Sequence, residues 1–121
     1  MRNSPDPFAP PRKQRAVRQN SLLWILDPLE QDANYVRRKM FGCDAAYLDD
    51  MLYLVVADRD EPWNGVMVCT SHERQAALMA DIPSLNPHPE LGKWLYLPQT
   101  DEAFEAIAAQ LVDLALARDP R

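Results

Sequence analysis

The chain has few of the residue types that build disulfides, metal sites or membrane spans. It contains two cysteines and two histidines. Cys43 and Cys69 belong to no paired-spacing motif, so we expect free thiols, and two distant histidines do not predict a zinc site. The longest apolar run, 51–57, is far shorter than the roughly 20 residues that a membrane span needs. An apolar signal core is also missing, which predicts a cytoplasmic location.

Positive charge is scarce outside the first third of the chain. The formal net charge is −5; residues 1–39 hold eight cations and four acids, whereas residues 40–121 hold five cations and fourteen acids. An acidic body repels a phosphate backbone, so we do not expect the folded part to bind nucleic acid. Weak nucleic-acid binding through the basic N-terminal arm, together with Arg37, Arg38 and Lys39, stays open as an alternative.

The first residues differ in composition from the rest. Residues 1–14 carry four of the eleven prolines and almost no apolar pattern, which predicts a flexible arm with polyproline character. The whole chain is 47% apolar and 26% charged, as in globular proteins, and its length suits one domain. We therefore expect a Pro/Arg-rich arm over 1–14 and a single domain over 15–121.

The first half of that domain predicts a helix followed by three strands. The polar pair Asn20–Ser21 is a suitable N-cap for an apolar stripe, which Pro28 breaks and restarts. From Met40 onwards the residues are typical of strands, and Asp49–Asp50 predicts a two-residue hairpin turn. Gly65 then opens a third short strand.

The second half predicts two helices with one or two strands between them. Thr70 and Glu73 have the spacing of a capping box at the start of a helix. The proline-rich stretch 82–92 allows at most a short edge strand, and 93–97 is strand-like. From Thr100 an amphipathic helix follows, which must cover a sheet. The predicted fold class is α+β, a two-layer α-β(3)-α-β(2)-α arrangement with an antiparallel sheet covered on one face by helices.

Residues Arg38-Lys39-Met40-Phe41-Gly42, followed by Tyr47 and a tight turn, resemble the TfoX N-terminal domain family over about residues 15–121. In that family a basic residue and Met-Phe-Gly open the first strand after the leading helix. The resemblance implies the same α-β(3)-α-β(2)-α fold, shared with YjbR-like proteins and type III secretion chaperones, and it brings no established catalytic residues. The chain departs from the family at Asp49–Asp50, where a glycine turn is usual. Because no second domain of the competence-regulator kind follows, we expect no competence role.

The stretch 37–50, RRKMFGCDAAYLDD, raises the question of a phosphate-binding loop. Such a loop needs several glycines that lead into a helix N-terminus, whereas here one glycine leads into a strand. We therefore expect the cations at 37–39 to lie where the chain leaves the helix. Met40 and Phe41 would start the first strand, and Gly42 would permit a close backbone approach or a bulge.

Cys69 and His72 are the best catalytic candidates. A thiol at a strand end, facing a helix N-terminus that lowers its pKa, would have an imidazole three positions on. The favoured interpretation is that Cys69 is a small buried residue and His72 a solvated one, because no orienting acid is evident. His88 lies between prolines and is expected to be exposed.

Two further groups have a binding interpretation and a structural one. An acidic segment could hold a hard cation, but it lacks the ligand spacing of a calcium loop and is expected to be a solvated hairpin loop. The tryptophans could stack on a ligand, but we expect them to be core or half-buried. These residues are Asp58, Asp60 and Glu61 for the first group, and Trp24, Trp63 and Trp94 for the second.

The sequence thus predicts a small non-enzymatic domain, without cofactor or metal, that binds another protein or its own copy through one sheet face or edge. The first alternative is a small-ligand-binding or enzymatic domain with a cleft near Cys69, His72 and Trp94. The second is the weak nucleic-acid binding described above. The possible contact residues are Arg37, Arg38, Lys39, Cys69, His72 and Trp94.

Overall fold

A computed structural model of the chain describes residues 19–121. The predicted arm over residues 1–14 lies outside the described residues. The described part contains three helices and six strands. The elements are a leading 3₁₀ helix Leu23–Gln31, β1 Tyr35–Met40, β2 Cys43–Leu48, β3 Met51–Asp58, β4 Asn64–Val68, α1 His72–Asp81, β5 Asn86–Pro87, β6 Leu95–Pro98 and α2 Phe104–Leu116.

The strands form one antiparallel sheet in the order β1-β2-β3-β4-β6-β5. Hairpins join β1 to β4 in succession, and β6 pairs with β4 after the chain has passed through α1 and β5. The buried apolar residues of all three described helices pack into one cluster with a single face of the sheet. The predicted α+β class is therefore confirmed. The sheet has one more strand than predicted, since β1 precedes the three predicted strands.

β1 changes the interpretation of the basic residues. The cations that we placed at the exit of a helix, Arg37, Arg38 and Lys39, lie inside this strand. The strand escaped prediction because it lies at the edge of the sheet, where its four central residues are exposed and show no apolar alternation.

The Met-Phe-Gly stretch ends a strand and makes a turn, whereas we predicted that it starts a strand. Met40 is the last residue of β1 and pairs with Cys43. Phe41 and Gly42 connect the two strands with φ angles of 55° and 75°. Two consecutive positive φ angles are the geometry of a two-residue hairpin turn, so Gly42 supplies a turn conformation and not a bulge.

The leading helix runs through Pro28 without the predicted break. Asn20 fixes its start. The Asn20 Oδ1 accepts the Leu22 N–H at 2.9 Å, and its Nδ2 donates to the Asp44 carboxylate at 3.0 Å and to the Val56 carbonyl at 2.9 Å. Asp44 lies on β2 and Val56 on β3, so one amide side chain attaches the helix start to two strands.

The main core lies between the helices and the sheet. Leu26 and Leu29 of the 3₁₀ helix and Leu111 of α2 are fully buried against strand residues such as Leu54 and Leu97. Each such leucine contributes about 1.5–3 kcal/mol relative to an exposed side chain. The predicted apolar stripe of the last helix is confirmed, with buried Phe104, Ala108, Leu111, Val112 and Ala115.

Both later helices begin differently from the prediction. The predicted capping box of α1 does not form: Ser71 precedes the helix, and its side chain caps no N–H. α2 begins at Phe104, later than the predicted cap at Thr100. The Asp101 Oδ1 accepts the Ala103 N–H at 2.9 Å and so supports the turn that leads into α2.

Candidate functional site

The sheet face opposite the helices carries a second apolar cluster, and we call this face the open face. Its buried layer consists of Cys43, Ala45, Val55, Ala57, Met67, Cys69 and Tyr96. Half-buried side chains pack on that layer, namely Met40, Tyr47, Leu52, Trp63, Leu91 and Trp94. The buried residues of the three described helices all belong to the other cluster, so the open face is covered by side chains of strands and loops alone.

Two exposed large apolar side chains adjoin the open face on its β1 side. Val36 is the cross-strand partner of Tyr47, so it lies on this face, and it is 42% exposed. Phe41 is 62% exposed, and its ring centroid lies 6.1 Å from that of Trp63. Exposed large apolar side chains along one side of a sheet face are typical of binding sites. This side of the open face is therefore the strongest candidate for an interaction surface.

The backbone at Phe41 is unusual for an aromatic residue. Its φ of 55° lies in the left-handed region, which costs a residue with a Cβ about 1–2 kcal/mol. The turn between β2 and β3 has the same design, with φ of 53° at Asp49 and 65° at Asp50. Aspartate tolerates this conformation well and phenylalanine poorly. The turn geometry therefore does not require the phenylalanine.

The basic residues of β1 are divided between the two faces. Lys39 Nζ lies 3.2 Å from the Asp44 carboxylate and Arg37 Nε lies 3.9 Å from it, both on the helix side of the sheet. Arg38 lies on the open face, with its guanidinium carbon 5.8 Å from the centre of the Tyr47 ring. One buried carboxylate thus faces two cations, while the third cation lies beside the exposed apolar groups.

The thiol candidate is a core residue. Cys69 is 4% exposed, as the core interpretation predicts, and burial raises the pKa of its thiol. A nucleophilic thiol needs a lowered pKa, so the environment opposes that role. His72 is the first residue of α1 and is exposed, while Trp94 is half-buried on the open face. Both cysteines are free and buried.

The prediction for His88 is wrong, because this side chain is 1% exposed. Its Nδ1 accepts the N–H groups of Glu90 and Leu91, both at 3.0 Å. The proton must then lie on Nε2, which donates to the Pro62 carbonyl at 2.8 Å. The flanking prolines suggested an exposed loop. The imidazole is buried instead, and three backbone groups from two loops satisfy its hydrogen bonds.

The tryptophans differ in burial. Trp63 and Trp94 are half-buried on the open face, in agreement with the prediction. Trp24 is 46% exposed, which contradicts it. Trp24 lies on the 3₁₀ helix between residues that face the core, so helical periodicity alone did not reveal that its ring points outward.

The sequence alone indicated no binding role for Phe41, which was expected only to start a strand, and no role for Asp44. Asp44 is a buried acid, 2% exposed, and its cross-strand partner is Lys39. A signal for both was present in the sequence: if Phe41–Gly42 is taken as a two-residue turn, residues 39 and 44 become direct neighbours. The turn was missed because Phe is not a residue that favours a positive φ.

Within residues 19–121, no group of three or more His, Cys, Asp or Glu side chains is placed to hold a metal ion. None of the helices in this part of the chain has the length and apolar character that crossing a bilayer requires. Comparison of the chain with protein-family models, curated proteins and solved structures gave no match. The resemblance to the TfoX N-terminal domain family therefore stays a prediction.

Proposed function

We propose that this protein is a non-enzymatic protein-binding module, and that the β1 side of the open face is its binding surface. The exposed Val36 and Phe41 supply apolar contact area. β1 is an edge strand of the sheet, so its outer backbone groups can pair with an added strand. A cytoplasmic location and kinship with the TfoX N-terminal domain belong to the same proposal, on the basis of composition and of the stretch 38–42.

Phe41 is the observation that carries the proposal. It combines an unfavourable φ with 62% exposure, and its only ring neighbour in the described residues is Trp63. Positions that break a local rule without a structural need are typical of functional sites. Aromatic side chains are also frequent among the residues that dominate binding energy at protein interfaces.

The partner that fits this surface is a separate protein with an extended acidic segment. β1 carries three cations, and one carboxylate, Asp44, faces two of them. Pairing of β1 with β1 of a second copy would place cations opposite cations, which destabilises a sheet. Cations on an edge strand also protect against aggregation, but protection does not explain an exposed phenylalanine beside them.

The proposal can be tested with a random peptide display library. The library is panned on the wild-type protein, with counter-selection on Phe41→Asn, which keeps a residue that favours the turn. The selected peptides are expected to contain Asp or Glu next to apolar residues. In NMR titrations, such a peptide should shift the amide signals of Val36, Arg38 and Tyr47.

Two results would contradict the proposal. One is a selection in which no peptide distinguishes the wild type from Phe41→Asn. The other is a selected peptide whose NMR shifts map to the helix side of the sheet. Sedimentation velocity over a wide concentration range tests self-association. If the wild type forms a dimer that Phe41→Asn does not form, the partner is a second copy of the chain and not a separate protein.

A further inference from the structure

A groove around Trp24 lies on the helix side of the molecule, away from the proposed binding surface. Three adjoining depressions share Trp24, with volumes of about 690, 130 and 530 Å³. The first is bounded by the start of α2, the second by Pro28 and Val112, and the third by residues 19–21 and Leu23. An indole that is 46% exposed between such depressions is an apolar surface without a cover among the described residues.

The groove is also strongly acidic. Five carboxylates line the groove, those of Asp27, Asp101, Glu102, Glu105 and Asp113. No Lys or Arg among the described residues lines it. The dipole of α2 favours the acids at its N-terminal end. It does not explain Asp113, which lies in the C-terminal half of that helix, or Asp27, which lies on another helix. The groove thus fits an occupant with positive charge and an apolar group.

Residues 1–18 of this chain have that chemistry and end at the groove. They contain one acid, Asp6, and one aromatic residue, Phe8. Their five cations are Arg2, Arg12, Lys13, Arg15 and Arg18. The next residue, Gln19, lines the third depression. Eighteen residues reach up to about 60 Å when extended, so the whole groove lies within range.

We propose that residues 1–18 dock in the Trp24 groove of their own chain, with cations against its carboxylates. A covalent tether holds the segment near the groove at an effective concentration of about millimolar, so weak contacts are sufficient. The docked segment covers the Trp24 ring and neutralises part of the acidic surface. This inference does not depend on the function proposed for the open face.

The test compares full-length chains by NMR, using the resolved indole N–H signals of the tryptophans. In the first variant, Arg12, Lys13, Arg15 and Arg18 are replaced by Gln, which leaves every described residue unchanged. The Trp24 signal should shift while those of Trp63 and Trp94 stay in place. For the wild type, about 0.5 M sodium chloride should move the Trp24 signal toward its position in the variant, because salt screens exposed charges.

A second pair of variants tests the groove itself. Glu102→Gln with Glu105→Gln removes two groove carboxylates and should move the Trp24 signal as the first variant does. Glu61→Gln with Glu90→Gln makes the same charge change at exposed positions elsewhere and should leave it unmoved. A Trp24 signal that is identical in the wild type and in the first variant would overturn the proposal. The proposal would also be overturned if the difference in Trp24 signal between the wild type and the first variant grew with protein concentration. The segment would then come from a second copy.

Discussion

His88 illustrates how a single residue joins three segments of the chain. Its ring accepts and donates the hydrogen bonds described above and packs between Trp63 and Tyr96, with centroid distances of 4.7 and 5.3 Å. Each buried group left without its partner costs about 1–3 kcal/mol. A role in packing and hydrogen bonding thus accounts for the buried imidazole without a catalytic function.

We predict that His88→Ala lowers the free energy of unfolding by about 2–4 kcal/mol, from lost packing and orphaned backbone groups. His88→Asn should lose less, because the Asn Oδ1 takes a position close to that of Nδ1 and accepts the same N–H groups. Urea unfolding of the three proteins gives the order. Equal losses of stability for both variants would show that the hydrogen bonds accepted by Nδ1 do not contribute to the free energy of unfolding.

Arg118 connects the end of the leading helix with the turn between β2 and β3. Its Nη1 lies 2.9 Å from the Asp32 carboxylate, and its Nε lies 2.7 Å from that of Asp49. These hydrogen bonds hold the pKa of Asp32 and of Asp49 below the ordinary value of 3.8. A lowered pKa in the folded state means that the stabilisation is complete above the unfolded value and is lost as the pH falls through the folded value.

We therefore predict that Arg118→Ala is less stable than the wild type at neutral pH and that the difference shrinks as the pH falls below 3.8, when both carboxylates take up protons. Thermal unfolding across that pH range measures the difference. Lys93→Ala, an exposed substitution, should show no such pH-dependent gap. A gap for Arg118→Ala that persists at pH values well below 3.8 would exclude the ion-pair explanation.

At the scale of elements, the two hairpin turns differ in purpose. Asp49–Asp50 serves the geometry of its turn, whereas Phe41–Gly42 places a ring at the border of the open face. We predict that Phe41→Asn changes the free energy of unfolding by no more than about 1 kcal/mol. Relief of strain of about 1–2 kcal/mol is offset by loss of the aromatic contact with Trp63, worth about 0.5–1.5 kcal/mol. Chemical denaturation measures this, and a loss of 3 kcal/mol, as expected for truncation of a core aromatic, would make Phe41 a structural residue.

The contact between β4 and β6 depends on Gly65. Its φ is 151°, and a Cβ at this position would collide with the Leu97 carbonyl oxygen. We predict that Gly65→Ala costs about 3 kcal/mol or more, because the colliding atom is backbone and the strands must separate. Gly92→Ala is the matched control: a Cβ there meets nothing within 4 Å, so stability should stay within about 1 kcal/mol of the wild type. A loss for Gly65→Ala no larger than that for Gly92→Ala would show that the collision with Leu97 does not decide the stability.

The sequence predicts elements well where local and tertiary preferences agree. The turn at Asp49–Asp50 and the apolar stripe of α2 follow from turn chemistry and periodicity, and both are confirmed. β1 could not be predicted, because an edge strand with charged central residues buries little and shows no alternation. The burial of His88 could not be predicted either, since its partners come from a distant loop and from the backbone.

For the candidate site, the sequence identified the cations of β1 as possible contacts but did not predict which face of the sheet each one occupies. Arg37 and Lys39 share Asp44 on the helix side, and Arg38 lies on the open face. That division depends on the register of β1 with β2, which the Phe41–Gly42 turn sets. Since phenylalanine is unfavourable in that turn, local preference pointed away from the register that the fold adopts.

At the scale of the whole molecule, the sheet separates two surfaces of different character. The helices complete the main core on one side and leave the acidic Trp24 groove at its outer surface. The other side has a thinner apolar layer that borders the basic strand β1. We propose that charge gives the two sites different partners: an acidic segment at the basic strand β1, and residues 1–18 at the acidic groove.

The central claim is that Phe41 is present for binding and not for folding. Calorimetric titration of one selected acidic peptide into the wild type and into Phe41→Asn, beside an unfolding curve for each protein, tests it in a single comparison. We predict that Phe41→Asn unfolds like the wild type, while its affinity for the peptide falls at least about 30-fold, the equivalent of the 2 kcal/mol that defines a dominant interface residue. A variant that is as stable as the wild type and binds the peptide equally well would contradict the claim.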